Sequence, residues 1–503
     1  MEILGLVDVP LYLLLCLAAT VLIYIYGTWN YNYFKKQGIP GPAPTPCVGN
    51  NVGQNFGHKV YAWSKLYGDV FGVFLGRTPA YVISDLEVLK QVMVKSFDNF
   101  RNRTALKFPF PFNLSLINLE DAAWKRVRNT ISPTFTGVKL KQMCGSINDC
   151  GRTLTTNFSK VMGENRGINV KDYFGAFSMD VICQTAFGIK VDSQTDFNHP
   201  FVVNAKRLFQ PTKLAQAFSV VSGAVPPLEP IIAKLGLGVF PRDTIDFFET
   251  ITSELMKQRG NDKTHHQQGT DFLKLMMDAS IEGKDDNAND QTVKHSVRHL
   301  SRDEVIAQSI TFFIAGYETT ASTLTFISHC LAMNPDVQEK AYNEIKEMLG
   351  NEEPTYENIG KLKYLDNVIS ETLRLYPPGY LITRSVSETI EIKGLTFSKG
   401  QTVFIPVMAI HRNPELYEDP DSFKPERFED QDKTMAFQAF GYGPRICIGM
   451  RLALTEVKVA LINVLRAVKF ERVPDTPEVL TFGPNPNVLQ TDIDIILKVS
   501  PRC

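Results

Sequence analysis

The chain has 503 residues, 44% hydrophobic, 21% charged and 11% aromatic, a composition that excludes a disordered, collagenous or disulfide-scaffold protein. Lys+Arg 53 against Asp+Glu 54 leaves a net charge of −1, so no global field favours nucleic acid, and any charged docking site is local. Eight cysteines occur without a CxxC pair or zinc-type Cys/His spacing, which argues against a disulfide or structural-metal framework.

The first element in chain order is an uncharged run of 18 residues, Val9 to Tyr26, preceded by Glu2 and Asp8 and followed by Trp29, Tyr31, Tyr33, Lys35 and Lys36. The length suits a hydrocarbon core of about 30 Å, and the aromatics suit its interface. A cleaved signal would want a positive start and small residues at its end, so residues 1–28 read as a single-pass membrane anchor. The lysines after the span place everything downstream in the cytosol, which leaves the sequons at Asn102, Asn113 and Asn157 without glycans. Residues 38–46 (GIPGPAPTP) hold four prolines, a stiff extended spacer, so 29–46 reads as a basic, proline-rich hinge and 47–503 as the body.

Within the body, Val70 to Leu75 and Tyr81 to Ser84 alternate as strands do, and long 3.6-period segments dominate from residue 86 onward, so the fold class is mainly α with minor β-sheets. The stretch Ala217 to Phe240 is apolar but broken by three prolines, too interrupted to span a bilayer; it suits either a membrane-dipping segment or plain core. The polar stretch from Gly260 to Ser301 reads as a solvated surface connection, with His265 and His266 more simply solvated than metal-bound. Ser301 to Glu304 forms a capping-box pattern and opens a long helix that stops before Pro335. In its middle, Ala315, Gly316, Glu318, Thr319 and Thr320 put a small residue and polar groups where a buried helix prefers Leu or Ala; a close helix crossing with a threonine bonding back to a carbonyl accounts for that alone.

The segment Phe440-Gly-Tyr-Gly443-Pro-Arg445-Ile-Cys447-Ile-Gly449 precedes an amphipathic helix. Glycines on both sides let the backbone turn its amides toward the sulfur, and the sulfur lies before a helix N-terminus; both effects favour a thiolate, as a nucleophile or a metal ligand. A nucleophile would need a histidine base, and the nearest in sequence, His411, lies far upstream.

The string FxxGxRxCxG at 440–449 resembles the haem-binding loop of the cytochrome P-450 monooxygenases. Glu371-Thr-Leu-Arg374 is similar to that family's ExxR, Pro425 to Phe428 to its PERF element, Ala315 to Thr320 to its oxygen-binding helix motif, and Trp124 to Arg128 to its WxxxR helix, all in the family's order. The details look closest to family 3 of the vertebrate microsomal enzymes, the 3A-like drug- and steroid-oxidising branch. The resemblance implies the cytochrome P-450 fold around haem b, with Cys447 as the axial thiolate ligand of the iron. It implies that Arg445, Trp124, Arg128, Arg103 and Arg384 hold the propionates, and that Phe440, Gly441 and Ala315 line the cofactor. Glu371, Arg374 and Arg427 would form a buried structural triad, and Thr319 with Glu318 a catalytic proton relay, Gly316 leaving room for O2. Gly379, Tyr380 and Ile382 are positional guesses for the substrate wall.

No GxGxxG or P-loop occurs, so electrons from NADPH would come through a flavoprotein reductase, with cytochrome b5 as a further partner. Lys125, Arg126, Lys139, Lys141, Arg451 and Lys458 are candidates for its basic docking patch. The resemblance thus implies a monooxygenase of lipophilic substrates (steroids, xenobiotics, fatty acids) on the endoplasmic reticulum membrane, without nucleic-acid partners. A haem-thiolate isomerase rearranging a peroxide without reductase is the alternative, and a non-enzymatic haem carrier a third reading.

Overall fold

The uncharged N-terminal run forms helix α1 (Leu11–Thr28), whose apolar side chains point outward and whose one buried residue is Gly27. Among the described residues α1 alone is long and apolar enough to cross a membrane. The structure, a computed structural model, describes residues 2–3, 7–8, 10–50, 56–104, 108–163, 166–210, 218, 240–261, 271–281, 300–429, 434–483, 485 and 488–502. Nearly all of 217–240 and both His265 and His266 lie outside the described residues.

The proline-rich segment is extended, but it is not free of the body. Pro40 O accepts from Gly72 N at 2.8 Å, and Asn50 Nδ2 donates to Pro42 O and Ala43 O. Prolines lack donors but keep carbonyls, and the body's edge uses them. Just before it, Phe34 is buried against Phe74 and Tyr81, and the Tyr31 hydroxyl donates to Thr45 O at 2.8 Å. The region 29–46 is therefore a strap lying on the body.

That edge is a four-stranded sheet of β1 (Val70–Leu75), β2 (Thr78–Ile83), β3 (Ile382–Ser385) and β4 (Thr402–Ile405) in the order β1-β2-β4-β3. Only the β2/β4 pair is parallel. The second strand begins at Thr78, earlier than its alternation suggests, because Pro79 sits opposite Phe74 in the antiparallel pair.

The rest is helical: α2 (Asp121–Ile131), α3 (Gly137–Val161), α4 (Val170–Phe187), α5 (Arg302–Met333), α6 (Lys363–Leu375) and α7 (Met450–Ala467) carry most of the core. The described part of the polar stretch 260–301 holds a helix, Phe272–Ile281, with Phe272 and Leu273 buried, which corrects the expectation of an unbroken surface connection. Apolar side chains supply a face there that the flanking polar residues hide from a composition reading.

Helix α5 crosses the whole body. Both halves of its capping box form: Ser301 Oγ accepts from Glu304 N at 3.1 Å, and Glu304 Oε2 accepts from Ser301 N at 2.9 Å. Twenty-five of its 32 residues are buried, on every side, which is why it shows no single apolar stripe. Its most extensive partner is α4, while α7 lies along α3.

Candidate functional site

The loop before α7 turns on glycines. Gly441 and Gly443 hold φ of +77° and +72°, a region L side chains avoid, and a Cβ on Gly443 would run into Met93 O. The turn closes with Cys447 N donating to Phe440 O at 2.9 Å. It delivers Cys447, whose side chain stays exposed, to the start of α7, where the Gly449 and Met450 amides act on its sulfur and favour the thiolate.

Those amides, with Arg103 and Arg128, pull the thiol pKa down, as the sequence suggests. Desolvation by the protein packed around the sulfur opposes them and wins even though the residue keeps one open face, so the pKa of Cys447 lies above that of an ordinary thiol. A cysteine in that state is a poor free nucleophile. A cation bound directly to the sulfur deprotonates it outright, so the site is suited to a metal ligand. His411 offers no base, because its Nε2 already accepts from Gln438 N at 2.8 Å.

Four guanidiniums gather around this loop, Arg445 from the loop itself and three from distant parts of the chain. Arg128, on α2, donates to Ile446 O at 2.8 Å, one residue from the cysteine. Arg445 donates to Leu119 O at 2.8 Å and Leu116 O at 3.4 Å, and its guanidinium stacks 4.3 Å from the Trp124 ring. Arg384, on β3, is buried, and Arg103 completes the group. Burial, then repulsion from Arg103, pulls Arg384 down to about 9; burial, then Arg103, Arg384 and Arg128, pulls Arg445 down to about 8. Arg103 and Arg128 are lowered too, by burial first.

Arginines stay charged at such sites, so these values measure a strain that an anion would relieve. Among the described residues the Nε atoms of Arg103, Arg384 and Arg445 and the indole N–H of Trp124 have no hydrogen-bond partner. Among the described residues Glu120 is the one acid that acts on Arg445, and it comes last among the influences. Orphaned buried donors beside a sulfur ligand fit a flat group with two carboxylates and a metal: a haem.

Beneath the loop, Arg374 binds Glu371 bidentately at 2.7 and 2.8 Å with both side chains fully buried. Arg427 adds a third contact to Glu371 at 3.0 Å, and Arg374 also reaches His411 O, Pro420 O and Ser422 O. The three residues are together, and they tie α6 to the chain leading into the cysteine loop.

On α5, Ala315 is exposed and Thr319 half-exposed in an otherwise buried stretch, one turn apart on one face, where Ala315 can line the cofactor as the resemblance implies. The Thr319 hydroxyl donates to Ala315 O at 2.7 Å, which leaves its lone pairs to accept. Gly316 is not on that face, and the expectation that it makes room for O2 is corrected: a Cβ there would meet Ile182 of α4 at 2.8–2.9 Å. Its missing side chain admits the neighbouring helix. Glu318 also faces α4: its Oε1 meets Lys171 Nζ of α4 at 2.9 Å and accepts from Ser322 Oγ of its own helix at 2.9 Å. The structure thus does not bring Glu318 to the side on which Thr319 stands.

Of the wall candidates, Ile382 leans toward Gly441, at 3.6 Å from where a Cβ would be. Gly379 is exposed. Tyr380 is committed elsewhere: it is buried, donates to Asn485 O at 2.7 Å and stacks on His58. The docking patch shrinks. Lys458 is buried and paired with Asp366 at 2.6 Å, Arg126 pairs with Glu304, and Lys141 with Glu357, while Lys125 and Arg451 are exposed. The carbonyls of Leu116 and Leu119, the Met93 carbonyl and Ser178, which donates to Gly316 O at 2.8 Å, belong to the site's support; no motif marks them.

A family model described as "Cytochrome P450" matches residues 39–499. The chain is 39% identical to "Cytochrome P450 3A12" of Canis lupus familiaris over 501 residues, covering 97% of this chain and 96% of that one. It is 39% identical to "Cytochrome P450 3A5" of Homo sapiens over 497 residues, with the same coverage. "Cytochrome P450 3A6" of Oryctolagus cuniculus gives 39% over 505 residues, 96% of each chain. A match of that extent, on a body that carries an accessible cysteine beside arginines whose buried Nε atoms lack partners among the described residues, means that the chain belongs to the cytochrome P450 family, as a haem-thiolate monooxygenase that uses O2 and takes electrons from NADPH through a reductase.

Proposed function

We propose that the protein oxidises lipophilic substrates, steroids and xenobiotics first among them and fatty acids besides, at the face of the endoplasmic reticulum membrane, with its body in the cytosol. The observation that carries the reading is the convergence of Arg103, Arg128, Arg384 and Arg445 beside Cys447. The arginines and Trp124 would hold the haem carboxylates, and Cys447 would hold the iron. Thiolate-bound haem supplies the oxidising power when present. The protein's own part is to orient, to exclude water and to manage protons. Glu371, Arg374 and Arg427 keep the loop rigid beneath the cofactor. Thr319, its donor spent on Ala315, accepts from a protonated group on the site side and holds that proton in place.

Helix α1 supports the placement at a bilayer, where lipophilic molecules concentrate. Cytosolic orientation agrees with the sequons: the Asn102 and Asn157 amides are buried and bonded to Asp121 and Gln194 O. Of the candidate docking patch for a reductase, Lys125, Lys141 and Arg451 are exposed, and cytochrome b5 would use the same face.

The test is the carbon monoxide difference spectrum of the reduced protein. Wild type should show the thiolate-haem band and Cys447→Ala should lose it. Turnover of steroid and xenobiotic panels with NADPH and reductase in vesicles should follow; turnover of an endoperoxide alone would favour the isomerase.

A further inference from the structure

An asparagine joins the stretches of chain that bring arginines to the cysteine loop. Asn102, next in sequence to Arg103, is 7% exposed. Its Oδ1 accepts from Asp121 N at 2.9 Å and its Nδ2 donates to Asp121 Oδ1 at 3.1 Å, a reciprocal pair at the first residue of α2, the helix of Trp124 and Arg128. Its carbonyl accepts from Ser385 N at 2.8 Å, at the β3 residue after Arg384. Arg445 reaches the same junction, since it donates to Leu119 O, two residues before Asp121. The chain around Asn102 is fastened to the same neighbours. Ser387 N donates to Asn99 O at 2.9 Å, the Asn99 side chain bonds both Glu388 N and Glu388 O, and the Thr104 and Thr402 hydroxyls are 3.1 Å apart.

The pairing calls for this type of side chain. Asp121 has φ of +43°, in the left-handed region, and its N–H and its carboxylate both face Asn102. A partner for the two must accept and donate from neighbouring atoms, which a carboxamide does and a carboxylate does not. A carboxamide also brings no charge to a place where Arg103, Arg128, Arg384 and Arg445 already repel one another. Asp121 is 63% exposed and its contact with Arg101 is 3.8 Å long, an exposed pair that holds it weakly.

We infer, on the haem reading above, that Asn102 is a positioning residue that sets the spacing of the guanidiniums for the two haem carboxylates. Repulsion works to spread the arginines, whereas two carboxylates on one flat ring accept from donors at a fixed separation. The Asn102 bonds oppose that spreading before haem arrives, so the cofactor meets donors already in place. Without them α2 and β3 can shift relative to Arg103 and the grip on the carboxylates loosens, while Cys447 keeps its place on a different loop.

The experiment follows haem transfer from the full-length ferric protein to excess apomyoglobin, with the resonance Raman bands of the haem propionates and the carbon monoxide spectrum recorded on the same samples. Asn102→Ala should release haem about tenfold faster and shift the propionate bands, with the thiolate-haem band intact. Asp121→Gly removes the carboxylate acceptor at a φ that glycine adopts freely, and should release haem about two- to fivefold faster. Asp121→Asn keeps an acceptor oxygen and should stay within about twofold of wild type. Asn148→Ala controls for stability alone: it removes a buried asparagine bonded to Pro354 O and Asn463, and should leave the bands in place and the release within about twofold. Wild-type release and unshifted bands in Asn102→Ala would overturn the inference, as would the same acceleration and shift in Asn148→Ala. Should Asn102→Ala fail to take up haem, the two Asp121 variants decide, and equal release from them would overturn it. A wild type without the thiolate-haem band would instead strike the haem reading.

Discussion

Arg384 donates only to the carbonyl of its neighbour Thr383, its Nε has no partner among the described residues, and Arg103 repels it. A base pulled down to about 9 carries the full cost of its charge at every pH below that value, so the cost does not vary near neutrality and substitution is the way to read it. Arg384→Met should leave the melting temperature of haem-free protein unchanged or raise it by a few degrees. The same variant should lose haem faster on challenge with apomyoglobin. Slower or unchanged loss would remove Arg384 from the carboxylate site. Glu456 carries the opposite signature. It lies in α7, fully enclosed, with Oε1 unbonded among the described residues, and burial raises its pKa well above the carboxylate range. The native state keeps a proton that the unfolded chain releases above pH about 4.5, so this residue's contribution falls as pH rises. Glu456→Gln should therefore stabilise the protein by about 1–3 kcal/mol at pH about 8 and have little effect at pH about 4, by thermal unfolding across the range. Neither acid nor lysine on α7 looks buried in the sequence. Glu456 and Lys458 sit in an amphipathic pattern, and only the packing of α7 along α3 and beside α5 shows that its polar positions are enclosed too.

At the scale of elements, Gly316 sets two effects of known size against each other. Replacing a helical glycine with alanine favours the helix by about 1 kcal/mol. A Cβ there meets Ile182 Cδ1 at 2.8 Å and Cγ1 at 2.9 Å, and overpacking of that kind costs about 1–3 kcal/mol. Gly316→Ala should accordingly be destabilising by up to about 2 kcal/mol, and adding Ile182→Ala should recover most of the α5 term, which a double-mutant cycle on thermal unfolding would read. Additive losses would mean that the two helices are not in contact there. The same comparison shows what a sequence can reveal about this helix. Its start was legible because the capping box is local, with Ser301 and Glu304 three residues apart, and its end because Pro335 follows. The small residue in its middle was legible as an anomaly, but its partner is on α4, far off in sequence, and the direction of a missing side chain cannot be read from one helix alone. The cysteine loop repeats the lesson. Its glycines announce a tight turn, yet the reason for Gly443 is the carbonyl of Met93, which no spacing within the loop encodes.

Across the whole molecule, the cysteine loop depends on a histidine that motif reading set aside. His411 is fully buried, stacks on Phe437, and joins the end of α6 to the approach of the loop: Gln438 N donates to its Nε2 at 2.8 Å, so its Nδ1 carries the hydrogen and donates to Arg374 O at 3.1 Å. Arg374 answers by donating to His411 O, and in the same place binds Glu371. Both ring nitrogens are thus spent in one tautomer, and a second proton would set an N–H against the Gln438 N–H. Burial first, then the Arg374 and Arg412 charges, pull its pKa down to about 3 against backbone bonds that raise it. A base so depressed binds fewer protons folded than unfolded between pH about 3 and 6.5, so stability from this residue is complete above about 6.5 and drains away as pH falls through that window. Full protonation would cost about 5 kcal/mol, comparable with the net stability of many domains. Acid should therefore release haem and unfold the body together, with a slope set in this window. His411→Gln cannot charge, so although less stable near pH about 7 by about 1–3 kcal/mol for its altered bonds, it should lose less further stability between pH about 6.5 and 4 than wild type does. Equal slopes for the two proteins, followed by haem absorbance and circular dichroism, would show that the acid sensitivity of the loop resides elsewhere.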